Sequence, residues 1–245
     1  MTAMFEELDR RPTPIGEISL RRRWEPSLRV DVYEVRLDED FLMSSLFTVA
    51  EVELARLGLA AVTGAALDVV VGGLGLGCTA AAVLDDARVR SVHVVDAVGE
   101  VIDWHHRGLL PLGAGLTDDP RCHLVQGDFF ALVADGAPFA PEAPEPVHAV
   151  LLDVDHTPRH HLHPSHAAFY TVDGLRRLAG RLHPGGVFAL WSDDPPDQAF
   201  LAALDDVFAS SAAHVVTFPN PYTDGESANT VYVAGAGAQP SQLRR

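Results

Sequence analysis

Lysine is absent from the 245-residue chain, and all eighteen basic residues are arginines. That excludes Schiff-base and lysine-nucleophile chemistry. Cysteine is scarce: Cys78 and Cys122 are too few for a disulfide framework or a structural zinc cluster, and they read as reduced, packed thiols. No run approaches the ~20 apolar residues needed to cross a bilayer. Residues 1–24 are charged and lack the apolar core of a signal peptide. A soluble, cytoplasmic protein with no membrane partner is therefore expected. Positive charge is short overall, with a formal net charge of −16. Such a surface repels phosphates, which speaks against nucleic acid as a partner. The one basic run, Arg21-Arg22-Arg23, is explained as well by a solvated strand as by a phosphate site. Internal repeats and low-complexity linkers are also missing.

What is present is enough apolar material, 47% of the residues, for one large domain, or one domain with a small appendage. The chain is organised around residues 67–96. An apolar strand, Val69 to Val71, runs into glycines at 72, 73, 75 and 77, then an alanine-rich helix, then a second apolar strand ending on Asp96. Glycines allow a tight turn and close approach to a ligand, the helix offers free N–H groups, and an acid at the next strand tip can take a ribose diol. This pattern is that of a nucleotide-binding half-domain.

Before it, residues 1–11 read as a polar arm and Ile15 to Met43 as a small β-hairpin or three-stranded sheet. Residues 45–61 have helical apolar spacing, and Thr48-x-x-Glu51 resembles a capping box. After it, strands and helices alternate and close on an antiparallel pair joined by a loose loop around Tyr222. The expected fold is α/β: a doubly wound, mostly parallel seven-stranded sheet, Rossmann-like, spanning 45–245 and preceded by a small N-terminal β region at 1–44.

Asp96, Asp128 and Asp153 each follow an apolar strand. In a parallel sheet such acids share the edge that carries the glycine loop, where open α/β sheets bind ligands. Any one alone is explained by helix N-capping; three beside a glycine loop point to a site.

Together, V-V-V-G-G-L-G-L-G, V-V-D-A-V-G-E-V-I, Q-G-D at 126–128, L-L-D-V-D-H-T-P from 151, A-F-Y at 168–170 and L-H-P-G-G-V from 182 resemble the class I S-adenosylmethionine-dependent methyltransferase fold. The closer resemblance is to its spermidine synthase-like branch, over residues 69–234. The resemblance implies that Gly73, Gly75 and Gly77 face a sulfonium nucleoside, that Asp96 binds its ribose, and that Asp128 and Phe129 border its adenine. It also implies that Asp153 stands at the reacting centre. Asp153, Asp155 or His156 is the natural proton acceptor for an amine or hydroxyl nucleophile. The N-terminal sheet and the acidic surface allow a homodimer, as in the related synthases.

The departures from that branch bear on the donor. Aminopropyltransferases carry an acid near the end of the glycine loop and a D-S-x-D-P stretch; here Leu76 replaces the acid, D-V-D-H-T-P stands for the other, and Val98 lies where a further acid is expected. Their Tyr/His/Glu helix pattern is reduced to A-E-V-E-L-A at 50–55. A polyamine cation buried without carboxylates costs several kcal/mol. These residues favour an S-adenosylmethionine-dependent methyltransferase acting on a small-molecule N or O nucleophile. The alternatives are aminopropyl transfer from decarboxylated S-adenosylmethionine and a catalytically inactive nucleoside-binding partner. An NAD dehydrogenase fits the Q-G-D and the final strand pair less well. The cluster His156, His160, His161, His163 and His166 fits no established ligand spacing, so no metal is expected, and His156 is the member best placed to act as a base. The pair His105-His106 reads as a helix-dipole contact.

Overall fold

The computed structural model describes residues 5–13 and 15–237. Two sheets are formed. The first is a four-stranded antiparallel meander of β1 (Phe5–Thr13), β2 (Gly16–Glu25), β3 (Val30–Leu37) and β4 (Asp40–Ser44). The second has seven strands in the order β10-β11-β9-β8-β5-β6-β7. Its strands are β5 (Leu67–Gly72), β6 (Val89–Asp96), β7 (Cys122–Gln126), β8 (Val147–Leu152), β9 (Leu182–Ser192), β10 (Ser210–Asn220) and β11 (Gly225–Gly235). Strands β5 to β9 run parallel, and β11 and β10 are added antiparallel. The helices are α1 (Val49–Ala60), α2 (Cys78–Leu84), α3 (Gly99–His106), α4 (Gly113–Thr117), α5 (Phe129–Asp135), α6 (Val172–Ala179) and α7 (Gln198–Asp205). This is the expected doubly wound α/β architecture with its small N-terminal sheet.

The period-2 alternation of strand side chains builds a core on each face of the large sheet. Val69, Val71, Ala149, Leu151, Ala189 and Val231 pack on one side with α1 and the N-terminal sheet. Val70, Val150, Leu152, Phe188, Leu190 and Tyr232 pack on the other with α5, α6 and α7. All of β5 is buried, which is why it reads as a continuous apolar run.

The polar arm expected at the N-terminus is strand β1 over its described residues. Its polarity misleads because its partners are charged side chains rather than a core. Glu6 and Glu7 face Arg22 and Arg21 across the strand pair, and Arg23 reaches Glu34 at 2.7 Å, so the arginine run is balanced by facing carboxylates. Asp9 accepts hydrogen bonds from Trp104 Nε1 and Arg107, both at 2.8 Å, which ties β1 to α3. The loop expected between the last strands is shorter than its composition suggests. It is a hairpin tip whose Tyr222 packs on Phe47 with ring centres 6.1 Å apart and accepts from Arg23 at 2.6 Å.

Chain order reverses between β5 and β8. The sheet grows outward from β5 through β6 to β7, then returns to place β8 on the other side of β5, opening a crevice at their carboxyl ends. The two strand ends are in very close contact there. Asp153 N–H donates to Gly72 O at 2.8 Å, and a Cβ added to Gly73, which sits at φ +94, would lie 2.0 Å from the Asp153 carbonyl oxygen. Gly73→Ala is therefore expected to destabilise the fold by about 2 kcal/mol or more, from left-handed strain and the backbone clash together. Gly115→Ala in α4, where a Cβ meets nothing within 4 Å, is expected to be neutral or mildly stabilising. Denaturant midpoints of the two variants check this; equal midpoints would contradict it.

Candidate active site

A cavity of about 740 Å³ opens at this crevice, between the carboxyl ends of the parallel strands and the apolar face of the N-terminal sheet. Of the residues expected at the site, Gly73, Gly75, Asp96, Asp128, Phe129, Asp153 and His156 line it. Gly77 and Asp155 do not.

Gly77 stands behind the loop. It holds the left-handed conformation, φ 89, that ends the glycine turn and begins α2, and an added Cβ would strike Leu116 and His105. It sets the turn and does not itself line the cavity. Asp155, expected among the catalytic groups, is 1% exposed and turned away from the cavity. It accepts hydrogen bonds from Leu162 N–H, His166 Nδ1 and Tyr170 O–H, so its acceptor positions are spent within the protein.

Asp96 closes the glycine loop electrostatically. Its Oδ2 accepts from Leu74 N–H and its Oδ1 from Val98 N–H, both at 2.8 Å. Burial raises its pKa, and these backbone donors oppose the rise. Asp128 caps α5, its Oδ1 accepting from Phe130 and Ala131 N–H at 2.9 and 3.1 Å, while it also borders the cavity. Capping and site lining therefore coexist in this residue. His105, read from sequence as a dipole contact, is buried and braces the loop. Its Nε2 is 2.9 Å from Gly75 O, which can only accept, so Nε2 carries the proton. Burial lowers its pKa.

The centre of the cavity holds an acid pair that the sequence did not reveal. Thr48 makes no side-chain cap to α1, so the capping box is not formed; Glu51 turns instead into the cavity, close to Asp153. Burial, with the charges of Asp153 and Asp193 added, pushes the Glu51 carboxyl up to about 8. Burial pushes Asp153 up to about 6, against a 2.9 Å hydrogen bond donated by Thr79 Oγ. Asp193 is held across from them by Asn229 Nδ2 at 2.7 Å, and its own N–H donates to His156 O at 2.7 Å. Cys78 lies beside the pair, but burial and the two acids push its thiol up to about 12, so it is no nucleophile.

Thr79, Asp193 and Asn229 were missed because none lies in a motif, and Glu51 because its motif reads as a helix cap. The signal for it was the Glu of A-E-V-E-L-A, a helix position whose orientation needs the packed helix. Among the described residues, no group of three or more His, Cys, Asp or Glu side chains is disposed to hold a metal ion. No helix among them is long and apolar enough to cross a membrane.

Fold and crevice together define the class I methyltransferase-like architecture of the spermidine synthase-like type. Spermidine synthase in complex with the transition-state analogue AdoDATO superposes with a TM-score of 0.71 at 18% identity, over 96% of this chain and 75% of that one. Spermidine synthase from Thermotoga maritima gives 0.68 at 18% identity, over 96% and 74%. At such identity the likeness is one of fold. In sequence, the chain is 30% identical over 216 residues to polyamine aminopropyltransferase 2 of Pseudomonas aeruginosa, covering 82% of this chain. It spans 57% of that relative's length. No family model matches the chain.

These likenesses overturn the expectation of methyl transfer, since the relatives are a polyamine aminopropyltransferase and spermidine synthases. The physical reason for the error is plain in the cavity. Leu76 and Val98 do replace two acids, but Glu51 and Asp193 bring carboxylates to the same space from other elements.

A raised acid pKa stabilises the folded state below the unfolded pKa, and that stability is lost as pH rises through the folded value. The loss runs from pH 3.8 to about 6 for Asp153 and from pH 4.5 to about 8 for Glu51. In ligand-free protein, Glu51→Gln is accordingly expected to gain thermal stability relative to wild type as pH rises across this window. Melting temperatures of both proteins from pH 4 to 9 check this, and a difference that does not change with pH would contradict it.

Proposed function

We propose that the protein transfers an aminopropyl group from decarboxylated S-adenosylmethionine to a small amine. The observation that carries this reading is the charge of the cavity lining. Five carboxylates, Glu51, Asp96, Asp128, Asp153 and Asp193, border it, and no arginine does among its described residues. A donor that keeps its α-carboxylate would bring a further carboxylate into a low-dielectric space lined by these five acids and by no arginine. A donor without that carboxylate is a cation at both sulfonium and amine, and an amine acceptor adds another. The 30% identity to a polyamine aminopropyltransferase supports the same choice.

In this reading Asp96 takes the ribose hydroxyls, Asp128 and Phe129 border the adenine, and the glycine loop at Gly73 and Gly75 lets the backbone approach the nucleoside. Glu51, Asp153 and Asp193 attract the amines and hold the acceptor nitrogen in line with the methylene on sulfur. Sulfonium is a good leaving group because it departs as a neutral thioether. Alignment and exclusion of water therefore carry much of the rate. The half-buried acids favour the ammonium form for binding, so the attacking nitrogen must lose a proton before its lone pair is available.

Calorimetry with the purified protein tests the donor. Decarboxylated S-adenosylmethionine is expected to bind at least ~10-fold tighter than S-adenosylmethionine, a difference of about 1.4 kcal/mol. With an amine panel, release of the thioether nucleoside is expected to fall on the order of 100-fold in Asp153→Asn. Tighter binding of the carboxylated donor, or methylated product, would refute the reading.

A further inference from the structure

Sheet order gives the cavity a direction. Along β7-β6-β5-β8-β9-β11-β10 it is lined by Asp128 after β7, Asp96 at the end of β6, the glycine loop after β5, Asp153 after β8, Asp193 after β9, Asn229 on β11 and Phe218 on β10. Neighbouring strands lie ~4.8 Å apart, so these groups follow one another in a row. In the reading above, the nucleoside takes the β7-β6-β5 stretch, and the reacting amines take Asp153, Glu51 and Asp193. The stretch beside β11 and β10 remains. It begins where the acids end, because Asp193 is the last lining carboxylate in that direction.

The hairpin of β10 and β11 forms one wall of this end. Asn229 pairs in register with Val216, Ser227 with Phe218, and Gly225 with Asn220, so these residues share one face. Steps of two residues set the rows roughly 7 Å apart. Helix α1 packs on both strands, and Phe47, just before that helix, supplies a facing ring whose centre is 6.0 Å from that of Phe218. Water is largely kept out, with Phe218 6% exposed and Asn229 8%. The polar groups are occupied by one another. Asn229 Nδ2 donates to Asp193 at 2.7 Å, Asn220 Nδ2 donates to Ser227 Oγ at 2.9 Å, and Asn220 Oδ1 accepts from Tyr222 N–H at 3.0 Å. Arg23 and Glu25, which meet Tyr222, pair with each other at 2.7 Å, and neither lines the cavity. Beyond Asp193, therefore, a ligand finds ring faces and, among the described residues, neither carboxylate nor arginine.

We propose that this end receives the substituent of the acceptor amine and that the substituent is uncharged and apolar, so that the preferred acceptor is a primary monoamine with a short hydrocarbon tail. The proposal rests on the aminopropyl-transfer reading above and names its acceptor class. The reacting ammonium sits among Glu51, Asp153 and Asp193. Its tail runs past Asn229 to the rings of Phe218 and Phe47, a path of one to two strand spacings, ~5–10 Å. A second ammonium carried to that point would lose its water and meet no carboxylate, and two phenyl faces return less than that loss. A methyl or methylene group in the same place needs no partner and gains from burial. Phe218 and Ser227, opposite one another in the hairpin, are in this arrangement the residues that determine acceptor specificity.

The test compares amines of matched length, using the full chain and decarboxylated S-adenosylmethionine. In 1-aminopentane a methyl group replaces one ammonium of 1,4-diaminobutane. Its kcat/KM, read as release of the thioether nucleoside, is expected to be higher by on the order of 10-fold or more. A diamine that is equal or preferred overturns the proposal and leaves aminopropyl transfer intact. If no amine releases the nucleoside, the functional reading fails, and the acceptor assignment with it. Ser227→Asp tests the position by placing a carboxylate in the row of Phe218. The ratio of the two kcat/KM values is expected to fall by about 10-fold or more, with calorimetric affinity for the donor unchanged because the nucleoside lies toward the other end of the sheet. An unchanged ratio, or a donor affinity that falls in step with it, places the tail elsewhere and overturns the proposal. Phe218→Ala, expected to move the best tail to a longer or branched one, serves if Ser227→Asp does not fold, and an unmoved optimum is then the contrary result.

Discussion

The contact on which the structure depends is the meeting of β5 and β8 at their carboxyl ends. The backbone of Gly73 lies so near the Asp153 carbonyl that no side chain fits between them, and the Asp153 amide is fixed to Gly72 O at 2.8 Å. That closeness puts the glycine turn and the central acid in one place. It exists because β8 returns beside β5 after the chain has built β6 and β7 outward. Thr79, on the first turn of the helix that follows the glycines, then reaches Asp153 Oδ2. Loop, helix and acid thus form one mechanical unit.

Around that unit the protein gathers carboxylates and supplies no arginine among the described residues of the cavity. In isolation such clustering is costly, because burial and like charge both oppose ionisation. The cost appears as the raised pKa of Glu51, Asp153 and Asp96. In the proposed reading a cationic ligand would relieve it, so the cost of clustering the acids and the choice of a cationic donor would have the same origin. The N-terminal sheet contributes the apolar walls, including Ile18, Val35 and Met43, that make the local dielectric low enough for this to matter.

The histidine segment shows how composition can mislead in either direction. Its density of imidazoles suggests metal ligation or a solvated loop. Its folded arrangement spends the rings on stacking and capping: His161 on Tyr170, His163 on Ser165, His166 on Phe130 and Asp155. Sequence alone offers Asp155 beside Asp153 and His156 as a proton acceptor. β8 ends at Leu152, and in the irregular chain that follows one acid lines the cavity while the other is buried behind it.

The sequence by itself determined the sheet, its two faces, the glycine turn and the row of strand-end acids. Each of these is a local property: alternation of period 2, positive φ at glycines, a polar residue where a buried strand emerges. Asp96, Asp128 and Asp153 could therefore be read directly. Only the tertiary structure decided that Glu51 joins Asp153, that Asp193 faces them, that His105 braces Gly75, and that Asp155 serves His166 rather than the cavity. These pairings join elements distant in the chain, and their partners are chosen by helix rotation and strand order, which leave no fixed spacing between residues. The judgement between donors depended on such a pairing. The acids expected at 76 and 98 are absent in the sequence, and the carboxylates that compensate for them become neighbours only when α1 and the end of β9 are packed over the crevice.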